Sequence, residues 1–385
     1  MNTNAVIFLI SWTLFYCNLV RGIYVPFREY SGNNFFLSWD YYGGIDNTTW
    51  GNVTYLDQQN ANQQRLTYVD PNTGHAILRV DNTTNFPPAP LVNRPTVRIT
   101  TKEAFDIGSL VILDATHIPY GCSVWPAFWT LGVGLEWPDA GEIDVIEGIN
   151  NLPFNQMAMH TTNGCFQAAN GGQTGRTVNT NCTRPEGCLV QETKPNSFGV
   201  DFARAGGGAW ALQFDVAGVF IWFWSRPDIP KSVSQAQKDS NLELSDWGTP
   251  SAAYRASACD IRSFFKPQKL VINTSLCGLW AGVPDIYAQT CPGTCISQVF
   301  GNGANYVNAW WDISYVKVYR AVDNTTTATS SPSPGTSTST TGGQTTNRPG
   351  SGTNTSTGND ASITMPGWFL TIGLVLLVPL WAVSL

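Results

Sequence analysis

The chain has 385 residues, and only 12% of them are charged, about half the share that is usual for a globular domain. Its 21 basic and 27 acidic side chains give a net charge of −6 without any basic cluster, which argues against electrostatic capture of nucleic acid. Polarity is carried by neutral residues such as Asn and Thr, so a neutral, hydroxyl-rich partner fits better.

The first 22 residues are predicted to be a secretory signal peptide. An apolar run over residues 5–15 has the length of a signal peptide, and we expect cleavage after Gly22. The alternative is a signal anchor, but the run is shorter than the ~20 residues that a membrane span needs. We therefore expect a secreted protein.

Residues 23–321 are predicted to form one all-β domain. Short β-rich or alternating segments recur between Gly, Pro and Asn residues, and no window shows a sustained apolar stripe with the period of a helix. The segments are 76–80, 96–100, 108–113, 197–202, 219–224 and 313–319. This pattern predicts an antiparallel sandwich or jelly roll.

Eight cysteines follow the signal peptide, which itself contains Cys17. They are Cys122, Cys165, Cys182, Cys188, Cys259, Cys277, Cys291 and Cys295. An even number in an exported chain predicts disulfides, with the connectivity left open. A zinc site is the competing interpretation, but none of the histidines lies at metal-ligand spacing from a cysteine pair; they are His75, His117 and His160. We find no cofactor motif and predict no cofactor or metal site; a structural calcium ion is the alternative in this fold, but no acidic loop identifies one.

Seven sequons for N-glycosylation also indicate passage through a secretory pathway. Each acceptor is expected to lie at the surface. The acceptors are Asn47, Asn52, Asn82, Asn181, Asn273, Asn324 and Asn354.

Three acidic residues stand close together in the run GEIDVIEG, residues 141–148. Along a strand Glu142 and Asp144 share one face, and the apolar residues between them point to the other. Regular alternation would turn Glu147 to the apolar side. The spacing therefore predicts a β-bulge near Val145 and Ile146, which returns Glu147 to the acidic face.

Two carboxyls about 5 Å apart on one face suit a double displacement, in which one attacks the anomeric carbon and the other exchanges protons with the leaving group and water. Asp144, between the two glutamates, could hydrogen-bond Glu142 and influence which group holds a proton, because closely spaced carboxylates cannot all ionise. The competing interpretation is an acidic edge strand that discourages aggregation.

Aromatic residues flank this strand. Trp125 and Trp129 face the same way on an extended segment, and Trp137 precedes the acidic run. Aromatic faces stack on the C–H-rich faces of sugar rings, although several of the 15 tryptophans must be core residues. His160, one strand further on, could hydrogen-bond a carboxyl or a sugar hydroxyl, or could be structural.

The run WPAFWTLGVGLEWPDAGEIDVIEG, residues 125–148, resembles the active-site strand of family 16 of the glycoside hydrolases. Within that family it most resembles the fungal laminarinase-like endo-β-1,3(4)-glucanases, and the likeness covers residues 23–321, including residues 310–319. The resemblance implies a concanavalin-like β-jelly roll with an open substrate cleft. It also implies Glu142 as nucleophile, Asp144 as assisting acid and Glu147 as acid/base. The cleft residues that it implies are Trp125, Trp129, Trp137 and His160, with Trp280 as a further candidate.

The composition changes abruptly near residue 322. Residues 322–358 are rich in Thr, Ser, Gly and Pro and are predicted to be a disordered stalk. Residues 359–385 resemble a glycosylphosphatidylinositol signal that is removed, with Asn359 as the expected attachment residue and Gly358 or Ser356 as neighbouring alternatives. The remaining alternative is a C-terminal membrane helix, which usually has basic residues on its cytoplasmic side. We therefore expect the protein at the cell surface, anchored to the plasma membrane.

These features together predict a retaining endo-β-glucanase that hydrolyses β-1,3 and mixed β-1,3/1,4 glucans as a monomer. A similarly anchored cell-wall transglycosylase is the alternative within the family, but those relatives resemble E-x-D-x-E, so the inserted residue argues against it. A non-catalytic polysaccharide-binding sandwich would have no need of two glutamates across the sugar.

Overall fold

The structure is a computed structural model that describes residues 23–88, 93–168 and 172–322. The predicted signal peptide and anchor signal lie outside these ranges, as do all but the first residue of the stalk. In chain order the strands of the described ranges are β1 (Tyr24–Ser31), β2 (Trp39–Tyr41), β3 (Gly44–Ile45), β4 (Val53–Tyr55), β5 (Thr67–Val69), β6 (Ala76–Arg79), β7 (Arg94–Thr96), β8 (Arg98–Thr101), β9 (Ser109–His117), β10 (Val124–Gly132), β11 (Glu142–Glu147), β12 (Gln156–His160), β13 (Arg176–Asn179), β14 (Cys188–Gln191), β15 (Gly208–Asp215), β16 (Gly218–Ser225), β17 (Ala252–Arg255), β18 (Gln268–Leu276) and β19 (Trp310–Ala321).

The helices of the described ranges are all short. They are α1 (Gln58–Gln63), α2 (Gly199–Arg204), α3 (Lys231–Ser234), α4 (Ile261–Phe264), α5 (Gly278–Ala281), α6 (Pro284–Tyr287) and α7 (Cys295–Val299), with 3-10 turns at Gly32–Ser38, Arg226–Asp228 and Gly303–Tyr306. None of these helices has the length and apolar character needed to cross a membrane.

Two large antiparallel sheets form the sandwich that the sequence predicts. One has the order β17-β16-β15-β9-β19-β6-β5, with β1 also paired to β19, and the other has the order β13-β14-β12-β11-β10-β18-β8-β2. Apolar side chains from both sheets share one core, for example Phe128 and Ile143 from the second sheet and Trp210 and Leu212 from the first. A small sheet, β3-β4-β7, contains one parallel pair.

The outer face of the first sheet is covered by its own chain. Trp222 and Trp224 of β16 pack against Trp247 and Leu242 from the segment that follows α3, and the Trp222 indole donates a hydrogen bond to the carbonyl of Gly248. The acidic strand β11 belongs to the second sheet, so that sheet's outer face is the place for a substrate cleft.

Two of the predicted strand segments differ from the structure. Segment 197–202 is not a strand, because Phe198 and Phe202 stand four residues apart and one turn of α2 buries both of them, whereas Val200 between them is exposed. Segment 96–100 is divided between two strands, β7 and β8, which belong to different sheets.

Four disulfides join all eight cysteines of the domain, as their even number predicts. The pairs are Cys122–Cys291, Cys165–Cys259, Cys182–Cys188 and Cys277–Cys295. None of these eight thiols is left to ligate zinc.

Candidate active site

A β-bulge in β11 gathers the three acids on one face of the sheet. Against β10 the register shifts by one residue between Asp144 and Ile146, which leaves Val145 as the extra residue. Against β12 the register shifts between Asp144 and Glu147. Val145 and Ile146 both pack into the core, and Glu147 thereby returns to the face that Glu142 and Asp144 share. The predicted bulge is confirmed.

The buried side chain of Asn155 supports this bulge. Its Oδ1 accepts a hydrogen bond from the backbone N–H of Glu147 at 3.0 Å, and its Nδ2 donates to the carbonyls of Val145 and Gln156 at 3.0 and 2.9 Å. A bulge leaves backbone groups without ladder partners, and such groups must be paired when they are buried. The sequence analysis did not identify Asn155, because it lies in the connection between β11 and β12. The local sequence pattern there does not indicate that its side chain bonds the backbone of the bulge.

Burial raises the pKa of all three carboxyls. The pKa of Glu142 rises to about 8, mainly through desolvation and then through the negative charge of Asp144. Desolvation and Asp144 likewise raise the pKa of Glu147 to about 8. Desolvation also raises the pKa of Asp144, although the neighbouring Glu142 carboxyl opposes this. The cluster therefore retains protons at neutral pH, as a set of mutually close carboxyls must.

Trp137 and His160 contact the Glu142 end of the cluster. The Trp137 indole N–H donates a 2.8 Å hydrogen bond to Oε2 of Glu142, although the ring itself is 55% exposed. His160 Nε2 lies 3.3 Å from Oδ2 of Asp144 and 3.9 Å from Oε1 of Glu142. An exposed ring that is fixed to a carboxyl by its N–H is well placed to stack on a sugar.

Trp125 and Trp280 occupy the Glu147 end. The Trp125 indole N–H donates a 3.0 Å hydrogen bond to Oε1 of Glu147. The ring of Trp280, in α5, meets the ring of Trp125 edge-on with centroids 5.5 Å apart. The structure thus brings four of the five predicted cleft residues to the two ends of the acid cluster.

The fifth predicted cleft residue, Trp129, lies on β10 directly opposite Asp144 of β11. Its indole N–H donates a 2.7 Å hydrogen bond to Oδ1 of Asn273, which is only 7% exposed. The expectation that Asn273 lies at the surface as a glycan acceptor is therefore wrong. Strand β18 pairs with β10, and this pairing buries the Asn273 amide beside Trp129.

Arg98 is a residue that the sequence analysis missed. Its guanidinium carbon lies 5.1 Å from the ring centroid of Trp129 and also 5.1 Å from that of Tyr42. A cation between two rings holds both of them by cation–π attraction. Nothing local to Arg98 indicates this role, because β8 reaches this place only through its pairing with β18.

The other sequons divide between surface positions and undescribed ones. Asn47 is exposed, and Asn52, Asn82 and Asn181 are partly exposed. Asn324, Asn354 and the expected anchor residue Asn359 lie outside the described residues.

Glu142, Asp144 and His160 are also the described residues that could hold a metal ion, since each offers one donor atom and these atoms lie within 4.8 Å of one another. However, metal-ligating carboxyls must be deprotonated, whereas burial raises the pKa values of Glu142 and Asp144 and favours their protonated forms. We assign the cluster to proton sharing.

On the open face of the β-sandwich, aromatic rings flank a cluster of carboxyls that can exchange protons. Such an arrangement can cleave glycosidic bonds, and it defines this domain as a glycoside hydrolase. A family model described as "XgeA-like, catalytic GH16 domain" matches residues 39–319. The chain belongs to family 16 of the glycoside hydrolases, the family that its acidic strand resembles.

Similar proteins carry the names of glycosidases. The chain is 34% identical over 300 residues to a probable glycosidase of Schizosaccharomyces pombe, covering 76% of this chain and 68% of the relative. It is 36% identical over 311 residues to an endo-1,3(4)-β-glucanase of Arthroderma benhamiae, covering 77% and 65%. The chain thus spans about two thirds of these two relatives, and 45% of a probable endo-1,3(4)-β-glucanase of Neosartorya fischeri.

Two solved structures have the same fold over the whole of their chains. Laminarinase 16A of Phanerochaete chrysosporium, with β-glucans in its donor and acceptor sites, has a TM-score of 0.73 and 34% identity and covers 77% of this chain and 100% of its own. An elongating family 16 β-1,3-glucosyltransferase has a TM-score of 0.70 and 37% identity and covers 77% and 99%. The jelly-roll fold is thereby confirmed.

Proposed function

We propose that this protein is a retaining endo-β-glucanase that hydrolyses β-1,3 and mixed β-1,3/1,4 glucans. The observation that carries the proposal is the arrangement of β11, where a bulge puts three acids on one face and an indole N–H bonds each of the two glutamates. The names of the similar glucanases support the substrate class.

In the first step Glu142 attacks the anomeric carbon. A bond forms between its carboxylate oxygen and that carbon, the glycosidic C–O bond breaks, and Glu147 gives its proton to the departing oxygen. The raised pKa of Glu147 keeps this proton available at neutral pH. The Trp137 N–H stabilises the ionised form of Glu142, which the attack requires.

In the second step Glu147 acts as a base. It takes a proton from water as the water oxygen attacks the anomeric carbon, and the bond to Glu142 breaks, so the configuration is retained after two inversions. His160 and Asp144 lie within 3.3 Å of each other beside Glu142. The Asp144 carboxyl, whose pKa is raised by burial, can share protons with Glu142 between the two steps.

The stereochemistry of azide rescue tests these roles. With an activated aryl β-glucoside, Glu142→Ala should lose several orders of magnitude in turnover, and azide should restore part of it with an inverted product, because azide itself replaces the nucleophile. Glu147→Ala should give a product of retained configuration, because Glu142 still inverts once before azide inverts again.

The matched control for the rescue experiment is Glu136→Ala. Glu136 is exposed and lies six residues before Glu142, so its removal should leave turnover and the azide response unchanged. A retained azide product from Glu142→Ala, or an inverted sugar from the wild type, would contradict the assignment.

Transfer of the glycosyl group to another glucan is the second candidate function. The similarity to an elongating β-1,3-glucosyltransferase, at 37% identity, specifically favours it. Both reactions share the first step and differ only in whether water or a sugar hydroxyl attacks the intermediate. Incubation with a laminari-oligosaccharide distinguishes them, since products longer than the substrate would establish transfer and shorter ones alone would establish hydrolysis.

We further propose that the protein is secreted and carried at the cell surface by a glycosylphosphatidylinositol anchor. This rests on the sequence of residues 1–22 and 359–385 alone. A phosphatidylinositol-specific phospholipase should release the protein from expressing cells. Recovery of a peptide containing Leu385 from the mature protein would refute the anchor.

A further inference from the structure

A second concave site lies beside α5, and none of the three acids lines it. This cavity of about 430 Å³ is lined by Trp50, Asn52, Leu279 and residues around the Cys277–Cys295 disulfide. Its volume falls in the range of small-molecule sites. Trp50 and Leu279 are 67% and 66% exposed, so this concave site offers apolar side chains to a ligand.

Asn52 presents a free amide to this cavity. Its backbone is fixed, because its N–H donates to the carbonyl of Leu276 at 2.8 Å and its carbonyl accepts from the N–H of Arg94 at 3.0 Å. Its side chain makes no hydrogen bond within the described residues, in contrast to Asn273, whose amide is buried against Trp129.

Strand alternation turns both Asn52 and Thr54, the acceptor and the hydroxyl residue of the sequon, away from the core. Val53 and Tyr55 of β4 are fully buried, so Asn52 and Thr54 both point outward. An acceptor asparagine and the hydroxyl two residues later thus lie on one open face. The sequon at Asn47 is different, because the hydroxyl of its Thr49 is held inward by Asp46 and Ser275.

We propose that Asn52 carries an N-glycan whose first sugar stacks on the indole of Trp50 and occupies part of this cavity, so that the glycan is a structural part of the domain. Trp50 adopts a left-handed backbone conformation, φ 56°, and lines the same cavity as Asn52 two residues later. The C–H face of a sugar ring suits an exposed indole. Attachment at Asn52 also gives the sugar a high effective concentration at the cavity, which a free sugar lacks.

A double-mutant cycle on the full chain, secreted from a glycosylating host, tests the proposal. Glycopeptide mass spectrometry should find Asn52 occupied. Asn52→Gln and Trp50→Ala should each lower the Tm by about 2–4 °C, and the double variant should fall no further than either single one. Trp50→Phe should preserve most of the Tm, since it keeps an aromatic face.

Enzymatic trimming locates the contact in the glycan. An endoglycosidase that leaves the first N-acetylglucosamine should preserve the Tm difference between wild type and Trp50→Ala, whereas an amidase that removes the whole glycan should abolish it. Asn47→Gln is the control, because Asn47 lies in the same loop but does not line the cavity, and it should leave the effect of Trp50→Ala unchanged.

Three results would overturn the proposal. The first is an unoccupied Asn52, and the second is a Trp50→Ala effect that persists after complete deglycosylation. The third is a loss of laminarin affinity on adding Trp50→Ala to Asn52→Gln, which would assign the cavity to free polysaccharide. The Tm cycle requires no catalysis, so its outcome is independent of the function proposed for the acid cluster.

Discussion

Oδ1 of Asn155 accepts a hydrogen bond from the backbone N–H of Glu147, so the residue proposed as acid/base is held by a side chain that is itself completely buried. The same amide bonds the carbonyl of Val145, the extra residue of the bulge. Asn155 therefore fixes the one irregular point in β11, and through it the direction in which the Glu147 carboxyl projects.

Asn155→Ala should reduce both stability and catalysis. Buried backbone groups on Glu147 and Val145 would lose their partner, which should lower the free energy of unfolding by about 3 kcal/mol. A misplaced Glu147 should also lower kcat by about 10²-fold with little change in KM. Denaturant unfolding and steady-state kinetics measure the two effects.

Gln173→Ala is the matched control for Asn155→Ala. The Gln173 Oε1 accepts from the N–H of Ala253 in β17 at 2.9 Å and its Nε2 donates to the carbonyl of Gly175 at 3.1 Å. The substitution therefore also removes a bridging amide, but one that does not bond β11. It should lower stability and leave kcat unchanged. Equal losses of kcat in the two variants would mean that Asn155 does not act by positioning the Glu147 carboxyl.

Trp137→Phe should shift the acid limb of the pH profile of kcat/KM. The indole N–H lowers the pKa of Glu142, so its loss should raise that pKa and move the acid limb up by about one pH unit. Stability should hardly change, since the ring is largely exposed. Trp280→Phe is the control, because its indole contacts no carboxyl in the described part of the chain, and an equal shift in that variant would contradict the assignment.

Glu142→Gln should stabilise the fold, and more so at higher pH. The pKa of Glu142 is raised to about 8 in the folded protein from an ordinary value of 4.5, so the folded state binds more protons between these values and the wild type loses stability as pH rises through that window. Glutamine has no such dependence. We expect Tm to rise by about 3–6 °C at pH 8 and much less at pH 4. Glu136→Gln, at an exposed position, is the control. A larger gain at pH 4 than at pH 8 would contradict the raised pKa of Glu142.

The disulfides should differ in their contribution to stability. Cys122–Cys291 joins residues 169 apart in sequence and Cys182–Cys188 joins residues 6 apart. Removal of the first pair by double Ser substitution should cost about 5 kcal/mol and of the second about 2 kcal/mol, because a longer closed loop restricts the unfolded chain more. Unfolding in denaturant measures both, and equal losses would show that native-state contacts dominate.

Local rules and long-range pairing account for what the sequence could and could not predict. The bulge followed from counting along one strand, because alternation within β11 is a local property. The burial of Asn273 could not be predicted, because its partner Trp129 is 144 residues away and only the pairing of β10 with β18 brings them together. Segment 197–202 was misassigned because its apolar residues satisfy both the strand period and the four-residue helical spacing of Phe198 and Phe202.

The bulge also means that β11 has one residue more than regular alternation of its acids requires. Six residues, Glu142–Glu147, span the distance that residues 127–131 cover on β10. A version shortened by deletion of Val145 would alternate regularly and would still put its second glutamate opposite Ala127, with every other cross-strand partner unchanged. The strand with Val145 and the strand without it therefore place the same acids on the same face. Only the longer strand has a bulge, so only the longer strand needs an amide such as that of Asn155 to bond the backbone groups of the bulge. The spacing of the acids in β11 then reflects how the strand is stabilised. Whether water or a sugar hydroxyl attacks the glycosyl-enzyme must depend on the groups that surround the acceptor.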